Sequence, residues 1–172
     1  MTHPQERPRP AAPSSTRQLD PPELARIAEG LVESALLWPG IAHPPERRWS
    51  LMAASDLFEA WVIGWPPGGA IEWHDHGASA GVVAVVAGTL TEHSVTHDRG
   101  QVLAVKRNRV ERGSMLSFAS GHVHDVVNAG DRHAVSVHVY APRLDSMTYY
   151  SMAGHQLVRG RTVLSTARAD VA

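Results

Sequence analysis

The residues of this chain best suited to chemistry are His74-Asp75-His76 and a distant His124, which opens the run His124-Asp125-Val126-Val127-Asn128. In an extended strand side chains alternate with period two, so His74 and His76 project from one face while Asp75 points the other way. A third imidazole from another strand closes a three-histidine metal site. The chain contains no cysteine, which excludes disulfides and thiolate ligands and leaves histidine to supply any soft ligand. By residue type alone the alternative is a set of polar groups satisfied within strands.

Glycines frame these histidines. Gly68 precedes His74, Gly88 closes the segment after Val82 to Ala87, and Gly113, Gly121, His124 and Asn128 repeat the logic later. With these spacings the chain resembles the cupins, both of whose motifs fit without insertion. It departs twice: Gly81 stands where the general pattern carries a glutamate ligand, and Ala119 where the second motif carries proline. A cupin with three histidines and no glutamate resembles the thiol dioxygenases, above all cysteine dioxygenase. Ala134-Val135-Ser136-Val137-His138-Val139-Tyr140 is similar to the serine, histidine and tyrosine strand of that family, and the match runs from about Arg48 to Tyr150.

The resemblance implies Fe(II) on His74, His76 and His124. It implies that His138 orients Tyr140, whose hydroxyl faces substrate and oxygen, with Ser136 in support. An arginine upstream of the first metal strand would bind the substrate carboxylate as a bidentate fork, and in Glu46-Arg47-Arg48-Trp49-Ser50-Leu51-Met52 that role falls to Arg48. Gly81 also replaces the cysteine that some members crosslink to the tyrosine, so no thioether forms, and it is expected to leave space beside the metal. Three neutral imidazoles leave a ferrous ion its full charge and one open face, suited to a thiolate, an amine and dioxygen together. Coordination would deprotonate the thiol and hold sulfur next to oxygen.

The expected activity is oxidation of a small thiol by O2, L-cysteine to cysteine sulfinate being the leading case. Two neighbouring readings are a 3-mercaptopropionate-type dioxygenase and a natural-product cupin that rearranges and decarboxylates cysteine to a sulfonamide aldehyde, for which Ni(II) would replace iron. A reading from another class is a metal- or ligand-binding cupin module without catalysis. Retention of the tyrosine–histidine pair argues against it, because a binding module needs no oxygen chemistry.

Positioning these residues requires a particular scaffold. A chain of 172 residues suits one compact domain with a buried core, and a net charge of −1 gives no electrostatic sign of a nucleic-acid or membrane partner. The start of the chain has no apolar h-region, and the longest apolar stretch, Val82 to Ala87, is far short of the ~20 residues that span a bilayer. A cytoplasmic monomer or small homo-oligomer is expected. The fold class is all-β: a single jelly-roll-like cupin barrel with an N-terminal helical segment.

The expected organisation is a flexible arm over 1–19, a helix over 20–40, the barrel over 41–154 and a tail over 155–172. Asp20 before Pro21 and Pro22 is a helix N-cap, and Leu24, Ile27, Leu31, Leu36 and Leu37 form an apolar stripe that packs on the barrel. Strands are expected at Phe58–Trp65, Ala70–His76, Gly81–Glu92 with a turn at Ala87-Gly88, Gln101–Lys106, Ser114–Phe118, His122–Asn128 and Ala134–Ala141. Phe58, Ala60, Val62 and Gly64 share one face of the first, and Glu59, Trp61, Ile63 and Trp65 the other. Asp75 and Asp125 are read as structural. His122 shares the alternation of His124 and lines the mouth of the site or stands apart from it, while His93, His97, His133 and His155 are read as surface residues.

Overall fold

The computed structural model describes residues 18–165; all but the last two residues of the arm expected over 1–19, and the last part of the tail, lie outside them. Among the described residues one helix, α1 (Pro21–Ala35), precedes eleven strands: β1 (Arg48–Ala54), β2 (Glu59–Trp65), β3 (Ala70–Asp75), β4 (Ala80–Ala87), β5 (Thr89–Asp98), β6 (Gln101–Glu111), β7 (Met115–Phe118), β8 (Val123–Val127), β9 (Ala134–Ala141), β10 (Ser146–Ala153) and β11 (Gln156–Leu164). They build a jelly-roll-like barrel from two antiparallel sheets. One sheet runs β1-β2-β9-β4-β7 and the other β10-β11-β6-β5-β8-β3, the latter closing through β10 against β3. Among the described residues no helix is long and apolar enough to cross a membrane.

The helix starts where Asp20 predicts: its side chain accepts from the Glu23 backbone N–H at 2.8 Å while Glu23 reaches back to the Asp20 N–H, satisfying two donors that the first turn leaves open. It ends at Ala35, earlier than the stripe implied. Leu36 is the C-cap and Leu37 is 83% exposed, because the chain turns through Trp38-Pro39-Gly40 before a further turn can form. Leu24, Ala28 and Ala35 pack against Val82, Ala84 and Val86 of β4 and Val135, Val137 and Val139 of β9. That packing explains why all of β9 is buried. Its valines face the helix, and the intervening Ser136, His138 and Tyr140 face the barrel interior.

The strand β11 occupies much of the stretch expected as a tail. The turn at Gly154-His155 folds it back on β10, with Ser151 opposite Val158. Gly64 shapes the other approach to the barrel. The Ile41 carbonyl lies 2.2 Å from where a Cβ would sit, so the loop before β1 crosses directly over β2. His133, expected at the surface, is half-buried and donates from Nε2 to the Pro44 carbonyl at 3.1 Å, pinning the same loop. This segment delivers Arg47 to the barrel mouth.

Candidate metal centre

His74 and His124 face each other across β3 and β8 as register partners, and His76 follows just beyond the end of β3. All three are at most 3% exposed, and their ligand atoms lie within 4.8 Å of one another. The turn after His76 is held by Asp75, which accepts from the Gly77 N–H at 3.0 Å and from the Tyr150 hydroxyl at 2.6 Å. Asp75 is therefore structural, as expected, and so is Asp125, which accepts from His93 Nδ1 at 2.8 Å.

Hydrogen bonds fix the tautomers of His74 and His124. His74 Nδ1 donates to the Glu72 carbonyl at 2.7 Å and His124 Nδ1 to Glu92 Oε1 at 2.8 Å. Both Nε2 lone pairs are thereby left for a ligand. His76 Nε2 sits 3.1 Å from His124 Nε2. Two nitrogens bonded to one ion at about 2.1 Å lie roughly 3 Å apart when they subtend a right angle, so this approach fits a shared cation. Burial, first, and the neighbouring imidazoles, second, hold His74 and His76 well below the usual histidine range; His124 is also lowered by burial, against the pull of Glu92. Neutral imidazoles with converging lone pairs form a metal site of three histidines. No carboxylate stands among them.

The sequence does not single out Glu92. It is 2% exposed, and besides His124 its Oε1 accepts from His122 Nε2 at 2.9 Å while Oε2 accepts from Asn108 Nδ2 at 2.7 Å. These hydrogen bonds hold its carboxyl ionised, below the ordinary range, against the opposing effect of burial. His122 thus stands behind His124 and does not line the mouth of the cavity. The only signal for Glu92 is the period-two alternation of Leu90, Glu92 and Ser94 on the buried face of β5.

Gly81 does not open a space beside the metal, contrary to the expectation. A Cβ there would meet Phe118 Cζ at 2.4 Å and the Val139 carbonyl at 2.9 Å. The Phe118 ring fills that volume, stacking on His76 with centroids 5.2 Å apart.

Ser136, His138 and Tyr140 are at most 5% exposed and form a chain with Trp65. Trp65 Nε1 is 2.8 Å from Ser136 Oγ, Ser136 Oγ is 2.8 Å from His138 Nε2, and His138 Nδ1 is 3.1 Å from the Tyr140 hydroxyl. The indole can only donate, so Ser136 accepts from it, and its own hydrogen is then available to His138 Nε2. His138 is held neutral, at about pKa 3, by burial above all. With Ser136 as donor, His138 Nδ1 gives its hydrogen to the Tyr140 oxygen and the Tyr140 O–H is free for the cavity. Burial, and then the nearby Glu59 carboxylate, push this phenol well above its ordinary range. The Tyr140 ring lies 4.7 Å from that of His76.

The cavity over these groups has a volume of about 280 Å³ and is lined by His74, His124, His138 and Tyr140 together with Arg47, Trp49, Trp61, Trp65, Tyr149 and a set of aliphatic side chains. Arg47 lines it and Arg48 does not. Arg48 is exposed, its guanidinium lying over Gly40 outside the barrel. Arg47 projects to the other side, its guanidinium carbon 4.8 Å from the Trp49 ring centre and 5.4 Å from that of Trp65. A displacement of one residue reverses the face a side chain occupies.

The family described as cysteine dioxygenase type I matches residues 20–153 of this chain. Solved structures share the fold at low identity. The TT1209 protein of Thermus thermophilus is 20% identical with a TM-score of 0.50, over 59% of this chain and 89% of that one. KdgF of a Halomonas species is 17% identical with a TM-score of 0.50, over 59% and 83%. An oxalate oxidase in complex with the substrate analogue glycolate is 18% identical with a TM-score of 0.50, over 58% and 53%.

Proposed function

The chain belongs to the cysteine dioxygenase type I family, matched over residues 20–153 of 172, and from that premise we propose that it oxidises a small thiol to its sulfinate with dioxygen at an iron held by His74, His76 and His124. One observation carries the reading: three buried imidazoles converge without a carboxylate beside a phenol that lines the same cavity and is held by His138. Iron, when bound, supplies the charge that deprotonates a coordinated thiol and the redox centre at which dioxygen is used. The stoichiometry closes without an external reductant. Both oxygen atoms are bonded to sulfur, the electrons sulfur loses are those dioxygen gains, and the thiol proton leaves to solvent.

The chain's own residues orient and protect this chemistry. Tyr140 keeps its proton and donates a hydrogen bond from Oη into the cavity, held in place by the directed chain from Trp65 through Ser136 and His138. Trp61, Ile63, Ile71 and Val126 give the cavity apolar walls. Arg47 is the residue we assign to the substrate carboxylate, which it can hold as a bidentate fork. A retained carboxylate favours the sulfinate over a decarboxylating rearrangement. L-cysteine, after which the family is called, is the first substrate to test. Oxygen uptake that requires both iron and a thiol carboxylate is expected, and its absence with every thiol carboxylate tried would overturn the proposal.

A further inference from the structure

Two β-bulges flank the metal centre, and one side chain stands between them. Along β3 and β8, Ile71 pairs with Val126 and His74 with His124, so Glu72 and Trp73 together oppose Asp125. Along β10 and β11, Thr148 pairs with Thr162 and Tyr150 with Arg159, so Tyr149 opposes both Gly160 and Arg161. The strand β10 lies between these ladders, with Tyr149 the register partner of His74. A bulge leaves its extra residue out of the ladder and re-aims the side chains around it, which is why bulges collect beside active sites. Here the bulged residues reach for each other: Arg161 Nη2 donates to Glu72 Oε2 at 2.7 Å, and the Arg161 guanidinium carbon stands 4.0 Å from the centre of the Tyr149 ring. The ion pair therefore ties the two bulges together across β10, over Tyr149. Gly160 lets the second bulge sit close, since a Cβ there would come within 3.1 Å of the Tyr149 carbonyl.

Held in this way, Tyr149 lines the cavity over the histidines, its ring centre 6.0 Å from that of His74. It also stands by Arg47. Burial lowers the pKa of Arg47, and the Tyr149 phenol is the neighbour that opposes this most, ahead of Tyr140. A carboxylate has about four acceptor positions and a guanidinium fork fills two of them. Between apolar walls the others need donors, because a charged oxygen left unpaired there is costly. Donors are scarce. Trp61 Nε1 is engaged by Glu59 at 2.9 Å and Trp65 Nε1 by Ser136 at 2.8 Å, while Nδ1 of His74 and of His124 are bound to Glu72 and Glu92. Tyr140, with its ring 4.7 Å from that of His76, stands at the reacting end. Trp49 is 54% exposed and Ser165 follows Leu164, which is 74% exposed, so both lie toward solvent. Among the described lining residues, Tyr149 is the phenol left beside Arg47.

Resting on the dioxygenase reading above, we propose that Tyr149 is a substrate-binding residue whose phenol donates to the carboxylate held by Arg47, and that the Glu72–Arg161 pair bridging the two bulges is the clamp that positions it. Tyr149 and Arg47 then grip one end of the thiol while the metal and Tyr140 face the other. Arg161 touches the ring and not the substrate, so it is a positioning residue. The same bulge at Glu72 serves the metal, because the Glu72 carbonyl accepts from His74 Nδ1 at 2.7 Å. One distortion of β3 thus sets a metal ligand and the substrate's anchor together.

Tyr149→Phe, Arg161→Gln and Arg161→Lys test this against L-cysteine, 3-mercaptopropionate and cysteamine, which differs from L-cysteine only in lacking the carboxylate. Binding to the iron-loaded protein without oxygen is read from tryptophan emission, since three of the five tryptophans line the cavity. Turnover is read as oxygen uptake. Tyr149→Phe is expected to weaken binding of the two thiol carboxylates by about tenfold, the scale of one hydrogen bond to a charged group. Their KM should rise with it while kcat stays within about twofold, the mark of an interaction made equally in ground and transition states. Cysteamine should bind as it does to the parent. Arg161→Gln should show a smaller loss of the same pattern, and Arg161→Lys, which keeps a cation over the ring and a partner for Glu72, should restore most of it. If Tyr149→Phe leaves all three thiols unchanged, or weakens cysteamine as much as L-cysteine, the inference fails and the dioxygenase reading stands. A loss in Arg161→Gln that is absent, or that Arg161→Lys does not restore, overturns the clamp. If the parent oxidises no thiol, both the reading and the inference fall.

Discussion

Replacing Glu92 by glutamine tests how the protein prepares His124 for a metal. The substitution keeps the volume of a side chain that is 2% exposed, but it removes the charge and turns one oxygen into a donor. With the amide oxygen toward the histidines, the new NH2 faces Asn108 Nδ2, which now donates to Glu92 at 2.7 Å. With the NH2 toward them, both His122 Nε2 and His124 Nδ1 lose their acceptor. In the better arrangement the bond to His124 falls from a charge-assisted one of roughly 1.5–3 kcal/mol to a neutral one of about 1 kcal/mol. That loses on the order of 1 kcal/mol in holding the ring, and His124 becomes a poorer donor to the ion as well. The combined loss should be about tenfold in metal affinity for Glu92→Gln and nearer 100-fold for Glu92→Ala, the range seen when a ligand's orienting partner is removed. Competition against a chelator of known affinity, with Zn(II) as a redox-inert probe, reads it directly. Wild-type affinity in both variants, with an unchanged thermal midpoint, would refute the reasoning.

Arg47→Ala should weaken binding of a thiol carboxylate by roughly 2–5 kcal/mol, the usual loss when one member of a buried charge pair is removed, with cysteamine little affected; equal losses in Arg48→Ala would show the wrong arginine has been assigned. Tyr140→Phe should retain bound iron while its rate falls by about a hundredfold, the lower range for a positioned proton donor, so an unchanged rate and product ratio would remove the phenol from the chemistry. His138 is held at about pKa 3 against an ordinary 6.5, so between those values the unfolded chain binds a proton that the folded chain refuses. Its contribution is complete above pH 6.5 and is lost by up to about 1.4 kcal/mol per pH unit as the pH falls toward 3. Urea unfolding of the metal-free protein should show that acid slope, with His74 and His76 adding in the same direction. A midpoint independent of pH between about 6.5 and about 4 would contradict it.

The metal histidines and the β9 face are legible in the sequence because a period of two is a local property: His74, Ser136, His138 and Tyr140 lie on the interior face that alternation assigns them. The placement of Arg47 on the cavity is not legible, because the choice between Arg47 and Arg48 depends on which side the chain enters β1. That side is set by the Ile41 carbonyl lying over Gly64, a contact between distant segments. The strands β1, β10 and β11 and the far half of β6 are hidden for a related reason. β11 is exposed at all positions but Leu157, and the second half of β6, Lys106-Arg107-Asn108-Arg109, has no apolar alternation. β1 is at most half-buried along its length, and β10 has only Thr148 fully buried. Such strands bury too few apolar positions for an alternation to stand out, although Leu157, Tyr150 and Met152 pack with Val102 and Val123, and Met52 and Ala53 with the core under the helix. Apart from its place in the Leu90, Glu92, Ser94 alternation, Glu92 reads in sequence like a surface carboxylate, and its three donors from β6, β8 and the turn before β8 come from distant segments.

The central claim is that a thiol receives both atoms of dioxygen at the three-histidine site. The most direct measurement is mass spectrometry of the product formed by the iron-loaded protein from a thiol carboxylate under isotopically heavy dioxygen, with the His124→Ala variant run in parallel. The account predicts a sulfinate carrying two heavy oxygen atoms, with the carboxylate intact, and no such product from the variant. A disulfide, a product that has lost carbon dioxide, or a sulfinate with a single heavy oxygen would contradict it.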